Sequence, residues 1–334
     1  MTKKKTDIAA QIIMANVLVL SFTFWLFGQT PGQKSATGAA PASQATIGHV
    51  KTSDGVDLHV VVKGTGTPCL YIHGGPGSGS YWMEKFSAGL LERHLQMVYL
   101  DQRGVGRSSS PKDGDYSMDR MVKDFEGVRT ALGIPQWVTM GHSMGGIMQM
   151  GYAKRHPETV KGMIMLNCAY NLNELASTSW ILKACEILDV KNTKPYLDES
   201  LPALDRVMRI RRELNEKDVA WKMSYASKKN KELMDATFNE VPNWNKDLER
   251  IALSIPDYWE NYKKQTKDME MPVLVFYGKT DWNVGPEHYT GLEFPRMMLW
   301  GSDVGHVAIM ENRPDLEKAI TSYLLKYGLL LAGS

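Results

Sequence analysis

Cysteine is scarce in this chain. Cys69, Cys168 and Cys185 are the only three in 334 residues, and no two form a C-x-x-C pair. That spacing excludes a disulfide-stapled scaffold and a thiolate metal site. Cys69 and Cys168 lie in apolar runs, where a thiol behaves as a small buried hydrophobe. An excess of one charge sign is also missing. Lys and Arg number 39 against 37 Asp and Glu, a net +2, so nothing provides the basic footprint that a nucleic-acid partner requires. No lipobox-type cysteine follows the N-terminal apolar run, which leaves lipid attachment there without an acceptor. What remains is ordinary for a globular protein: 43% apolar and 23% charged residues, with length for one large domain or two smaller ones.

The N-terminus stands apart. Lys3, Lys4 and Lys5 precede Ile8 to Phe27, a run without charge whose strongly polar members are Gln11 and Asn16. Twenty helical residues rise about 30 Å, one hydrocarbon core. A basic start and an apolar run suit a cleaved secretory signal peptide or an uncleaved signal anchor, in residues 1–28. Trp25 and Phe27 sit like interfacial anchors, while the small residues between Ala36 and Ala45 suit a cleavage site. Either reading puts the rest of the chain outside the cytoplasm, anchored to a membrane or released. Residues 29–46 are mostly Gly, Ala, Ser, Pro, Gln and Thr, a composition that buries no core and reads as a linker.

Beyond Ile47 the pattern alternates. Asp57–Lys63, Cys69–His73, Gln96–Leu100, Trp137–Met140, Val160–Asn167, Pro272–Tyr277 and Arg296–Trp300 read as strands. Met118–Leu132 and Ile147–Arg155 read as helices, the first with Met121, Val122, Phe125 and Val128 on one stripe. Near-continuous apolar strands separated by helices imply a mostly parallel sheet covered on both faces, an α/β architecture with its ligand site at the strands' carboxyl ends. Between Asn171 and Lys267 the alternation stops. That span is charged, helix-like and rich in Trp and Tyr, and reads as a helical cap inserted between two strands of the sheet. Most of its aromatics are expected to pack between cap helices, with one or two lining the site. The expected division is therefore a core of 47–170 and 268–334 with a cap of 171–267.

Gly141-His142-Ser143-Met144-Gly145-Gly146 lies between an expected strand and an expected helix. A strand, a tight glycine-flanked turn and a helix is the context of a nucleophile elbow, in which a strained turn lifts a serine to the sheet edge. Ser143 would then stand where a helix dipole favours developing negative charge. A serine nucleophile needs a base and a carboxylate to orient it, in the chain order Ser, Asp, His for a sheet of this kind. Asp281 in Gly278-Lys279-Thr280-Asp281 and His306 in Val304-Gly305-His306 follow the last two strands and satisfy that order. Asp101 precedes the serine, and Asp303 is too near His306 to come from a separate strand. His49, His59, His94, His156 and His288 lack strand-end placement and read as surface or structural, and His142 lies inside the elbow. His73-Gly74-Gly75-Pro76-Gly77 follows a strand, where consecutive glycines let backbone N–H groups approach a substrate. The oxyanion hole is accordingly assigned to the N–H groups of Gly75 and Met144. His73 is expected to hold the loop by a side-chain hydrogen bond, and Arg103 to tie its own loop by a salt bridge.

Taken together, H-G-G-P-G at 73–77, D-Q-R-G-x-G-R-S at 101–108, G-H-S-M-G-G at 141–146, G-x-x-D at 278–281 and G-H at 305–306 resemble the proline iminopeptidase family of α/β-hydrolases. The resemblance implies an α/β-hydrolase fold with an inserted helical cap, a Ser143/Asp281/His306 triad and release of N-terminal residues, often proline, from peptides. It also implies cap glutamates that bind the substrate's free amino group, with Glu174, Glu186, Glu213, Glu232, Glu240 and Glu260 as candidates. One departure bears on substrate. The family's elbow commonly reads G-G-S-W-G, whereas G-H-S-M-G is the form of general esterases and lipases. The expectation is thus a cofactor-independent, metal-independent serine hydrolase of a small peptide or small acyl substrate. An aminopeptidase comes first, an esterase second and a non-catalytic binding module third. A cap pocket without a carboxylate favours the esterase, and one with a glutamate near the site favours the peptidase.

Overall fold

The structure is a computed structural model that describes residues 46–173 and 177–330. The apolar N-terminal run, residues 29–45 of the linker and Glu174 lie outside the described residues, while Thr46, expected in the linker, opens the first strand.

Eight strands form the sheet: β1 (Thr46–Lys51), β2 (Asp57–Lys63), β3 (Thr67–Ile72), β4 (Leu95–Leu100), β6 (Trp137–His142), β7 (Val160–Leu166), β9 (Val273–Gly278) and β10 (Met297–Ser302). A two-residue strand, β5 (Val105–Gly106), pairs antiparallel with a two-residue strand of the inserted segment, β8 (Asn245–Lys246). The sheet order is β1-β2-β4-β3-β6-β7-β9-β10. β2 runs antiparallel to both its neighbours, and all other pairs are parallel. β1 was not expected from the sequence. Its residues are largely exposed, so it lacks the buried apolar run that marks the others.

Alternate residues on each strand serve opposite layers, as the two-residue period of a strand requires. Leu70, Ile72, Val98, Met163 and Val275 enter one apolar cluster. Cys69, Tyr71, Met97, Ile164 and Phe276 enter the other. The helices Met118–Ala131 and Gly145–Arg155 contribute Met121, Phe125, Ile147 and Met150 to the first layer. Arg313–Lys326 contributes Leu316, Ile320 and Tyr323 to the second. Ser117 starts its helix by accepting a hydrogen bond from the Arg120 N–H, a cap that satisfies one of the free donors of the first turn.

Between β7 and β9 the described elements are helical apart from β8, with helices Thr178–Ile187, Ala203–Glu216 and Lys228–Phe238 the longest. This segment has an apolar cluster of its own, built from residues such as Trp180, Ile181, Ile210, Leu214 and Met223. Trp180 packs within that cluster as expected, whereas Tyr258 and Tyr262 are buried in the sheet's first apolar layer instead of between helices of the segment, and Cys185 is a buried free thiol like the other two cysteines. Among the described residues no helix is long and apolar enough to cross a membrane.

Candidate active site

The order in which strands are added reverses between β3, whose next strand lies on one side, and β6, whose next strand lies on the other. At that switch point the two loops leaving the strand ends meet, which forms the crevice where open α/β sheets hold ligands. Here the contact is close enough to require glycine. A Cβ on Gly74 would lie 2.5 Å from the His142 carbonyl oxygen and 2.7 Å from Ser143 Cβ. On Gly145 it would lie 2.1 Å from the Ile72 carbonyl oxygen.

Ser143 has φ +55°, left-handed backbone that a serine adopts at a cost. The turn is held by its surroundings. The Ser143 carbonyl accepts from Gly146 N–H at 3.0 Å and Ala169 N–H at 2.9 Å, and the Ser143 N–H donates to Leu166 O at 3.3 Å. The Ser143 side chain carries no hydrogen bond among the described residues, and neither the Met144 nor the Gly75 N–H donates one. All three residues line one cavity of about 130 Å³.

Asp281 and His306, 25 residues apart, are brought together: His306 Nδ1–H donates to Asp281 Oδ2 at 2.8 Å. Asp281 is fully buried. Burial works to raise its pKa, but the His306 charge and hydrogen bonds from His306 and the Asn283 N–H hold it below the ordinary carboxylate range. The loop carrying His306 is fastened from two sides. The His306 N–H donates to Ser224 O of the inserted segment at 2.8 Å. Glu311 accepts from the Gly305 N–H at 2.5 Å and, through its other oxygen, from the Ala226 N–H at 2.9 Å.

His142 bridges the elbow and this loop. Its Nε2–H donates to the His306 carbonyl at 2.8 Å, and the two rings lie 4.6 Å apart between centroids. Burial, with His306 close by, pushes its pKa down to about 3, so the ring stays neutral. The sequence assigned this position no partner, because the contact joins residues 164 apart. His288, expected on the surface or in a structural role, is buried. It is stacked on Tyr170 and bonded through Nδ1–H to Gly285 O at 2.7 Å.

The two supporting motifs are structural. His73 Nε2 accepts from the Gln102 N–H at 3.1 Å, and burial lowers its pKa to about 4. The rival acid Asp101 is occupied elsewhere, accepting from the Ser80 N–H and hydroxyl and from Arg107 Nε at 2.7–2.8 Å. Asp303 is exposed and pairs with Lys279 at 3.0 Å. Arg103 is fully buried and joins Asp124 to Asp54, tying its loop to the helix Met118–Ala131 and the β1–β2 turn.

The far wall of the cavity is apolar, with Leu172, Val207, Met208, Leu253, Trp259 and Val284. Asn283 and Arg211 are its further polar side chains, and no Asp or Glu lines it among the described residues. Most of the expected amine-binding glutamates have other partners: Glu186 with Lys183, Glu213 with Tyr196, Glu240 with Tyr81 and Lys85, and Glu260 with Lys154. Glu232 is exposed. A different glutamate, Glu249, packs on the glycine loop: a Cβ on Gly77 would lie 2.8 Å from Glu249 Cβ. Burial raises its pKa. The β5–β8 pairing that carries it there left no signal in the sequence.

Residues 67–184 match the family described as alpha/beta hydrolase fold. A proline iminopeptidase from Neisseria gonorrhoeae is 34% identical over 122 residues, 36% of this chain and 37% of that protein. A cis-3-alkyl-4-alkyloxetan-2-one decarboxylase from Shewanella oneidensis is also 34% identical over 122 residues, 36% of this chain and 38% of that protein. The chain thus matches little more than a third of either relative's length. A crystal structure of a proline iminopeptidase-related protein from Thermus thermophilus superposes with a TM-score of 0.68 at 19% identity, covering 85% of this chain and 98% of that one. Further matches bear the names epoxide hydrolase and esterase. The protein has the α/β-hydrolase fold, with a mostly parallel eight-stranded sheet and flanking helices. Its resemblance to proline iminopeptidases is present in sequence and in fold, alongside resemblance to epoxide hydrolases, esterases and a decarboxylase.

Proposed function

We propose that the protein is a serine hydrolase that cleaves small carboxylic esters through an acyl-enzyme, with Ser143 as nucleophile, His306 as base and Asp281 as its orienting carboxylate. His306 Nε2 takes the Ser143 proton as Oγ attacks the substrate carbonyl, and the imidazolium formed is stabilised by Asp281 across the 2.8 Å hydrogen bond. The free N–H groups of Gly75 and Met144 receive the oxyanion. The leaving alcohol takes the proton back from His306, and water attacks the acyl-enzyme by the same route in reverse. Ser143 and His306 need no hydrogen bond in the resting protein, because a nucleophile–base contact tightens as substrate binds.

The cavity wall carries the choice of substrate. An ammonium taken out of water needs a carboxylate beside it, and this wall offers apolar side chains and the cation of Arg211. A second reading, an aminopeptidase releasing an N-terminal proline, is favoured by Glu249 against the H-G-G-P-G loop. The deciding experiment sets a short-chain p-nitrophenyl ester beside proline p-nitroanilide and its N-blocked form, with wild type and Ser143→Ala. Ester turnover that Ser143→Ala abolishes supports the esterase. Cleavage confined to the free-amine anilide replaces it with the aminopeptidase, and Glu249→Gln then raises KM for that substrate. Turnover of either kind that survives Ser143→Ala overturns the nucleophile assignment.

We also propose that the hydrolase is exported, with the apolar run within residues 1–28 as signal peptide or anchor. Recovery of the protein in the medium, or its susceptibility to protease added to spheroplasts, tests this, and a protein found only inside spheroplasts and fully protected there refutes it.

A further inference from the structure

Among the described residues, Arg211 is a cation without a counter-ion. It comes from the helix Ala203–Glu216 and lines the cavity that also holds Ser143, Gly75 and Met144. Its guanidinium carbon lies 5.4 Å from the centroid of the buried Trp180 ring. Its side chain makes no salt bridge or hydrogen bond to any described residue. This differs from the other arginines near the catalytic edge. Arg103 is paired with Asp54 and Asp124, and Arg107 with Asp101 and Glu84. The Arg211 side chain is half-buried in surroundings that supply no carboxylate among the described residues, and burial lowers its pKa from the ordinary arginine value. An arginine keeps its charge even so. Five N–H donors in a planar fork, stacked on an indole, are a preorganised receptor for a planar anion.

We infer that Arg211 is a specificity-determining residue that binds a carboxylate on the acyl part of the substrate, so that the preferred substrates are monoesters of dicarboxylic acids. The inference rests on the esterase reading. The remaining polar side chain of the wall, Asn283, is available to the same carboxylate through its amide, since only its backbone N–H is engaged, by Asp281 at 2.9 Å. The apolar residues that line the same cavity as the serine and the arginine suit the methylene chain that would join the two carbonyl groups. An unsubstituted alkanoyl group in the same cavity would leave the guanidinium desolvated and unpaired, which selects against neutral acyl chains.

The test compares mono-p-nitrophenyl adipate with p-nitrophenyl hexanoate, two six-carbon acyl chains that differ by a terminal carboxylate in place of a methyl group. Wild type, Arg211→Gln, Arg211→Lys and Ser143→Ala are assayed across both. In wild type, kcat/KM for the adipate ester exceeds that for hexanoate by roughly 10- to 100-fold, the range of a hydrogen-bonded charge pair. In Arg211→Gln that ratio collapses towards one, mainly through KM for the anionic ester, and Arg211→Lys restores part of it. A melting curve for each variant separates a failure of folding from a loss of selectivity, and Lys keeps the charge if Gln does not fold. A ratio near one in wild type, or a ratio unchanged in Arg211→Gln, overturns the inference while hexanoate turnover leaves the esterase intact. If neither ester is hydrolysed, the esterase reading fails. Adipate binding to Ser143→Ala by calorimetry then decides the anion site by itself, and absence of binding overturns it.

Discussion

Replacing Arg103 by methionine removes the cation from a site where nothing else neutralises Asp124 as closely. The guanidinium is fully buried and gives Asp124 two hydrogen bonds, from Nε at 2.5 Å and Nη2 at 2.7 Å, while Nη1 reaches Asp54 at 2.9 Å and the Asp115 carbonyl at 2.9 Å. In the variant, Asp124 keeps Arg120 at 3.3 Å and loses both contacts to Arg103. Breaking one side of a buried pair costs about 3–5 kcal/mol, mostly for the charge left behind. At roughly 2–4 °C per kcal/mol for a domain of this size, the melting temperature falls by about 10 °C. Removing both charges in Arg103→Met with Asp124→Leu recovers most of that, because no lone carboxylate remains. The penalty also depends on pH. Burial already raises the Asp124 pKa despite its partner. Without Arg103 it rises further, so the carboxyl protonates in the folded variant before it does in the unfolded chain. The deficit against wild type therefore narrows as pH drops from 7 towards 5. Urea unfolding of the three proteins at both pH values measures this. A single variant within 1 kcal/mol of wild type, or a double variant as unstable as the single, refutes the argument.

Three further outcomes are expected. Gly74→Ala inserts a methyl 2.5 Å from the His142 carbonyl and 2.7 Å from Ser143 Cβ, so kcat falls by ~10²-fold or more, as for loss of an oxyanion donor. A folded variant within twofold of wild type would contradict this. Glu311→Gln leaves one of two backbone donors facing an amide NH₂, so both the melting temperature and kcat drop, the latter because Gly305 precedes the base. A fall in melting temperature with kcat unchanged would limit Glu311 to a structural role. His142 and His73 resist protonation in the folded state, with pKa values pushed down to about 3 and about 4. The unfolded chain binds more protons below pH 6.5, so stability declines from there towards pH 4, by up to about 1.4 kcal/mol per pH unit for each histidine. His142→Phe should flatten that slope in acid titrations of urea unfolding, and an identical slope would rule His142 out as a contributor.

Backbone periodicity made the sheet legible. Buried runs such as Cys69–Ile72 and Val273–Phe276 are long enough and apolar enough to identify themselves, and the residues that follow them fall at one edge by topology alone. Asp281 and His306 needed only chain order to be paired on paper. β1 was invisible because an exposed edge strand carries no apolar run. Arg211, Glu249 and Glu311 were invisible for a different reason. Arg211 lies in a helix with the pattern of an ordinary charged surface and the two glutamates in helices of four and five residues, too short for any pattern, and what distinguishes each is the lack of a counter-ion among the described residues, a glycine next door, or two donors from distant loops. Such facts depend on which segments of the chain meet, and the cap segment carries no repeated pattern from which those meetings can be read. His142 illustrates the limit from inside a motif: its position was obvious and its partner, 164 residues away, was not.

The hydrogen bond from the His306 N–H to Ser224 O ties the base of the proposed mechanism to the inserted segment. A lid that opened by lifting the 220–226 stretch would carry the imidazole loop with it, uncoupling base from nucleophile for as long as the site stood open. Admission of substrate and competence for proton transfer would then alternate in time instead of coexisting. An acyl-enzyme caught in the open interval would be sheltered from hydrolysis until the stretch settled back. Its lifetime would follow the closing rate, and solvent viscosity would slow deacylation along with binding.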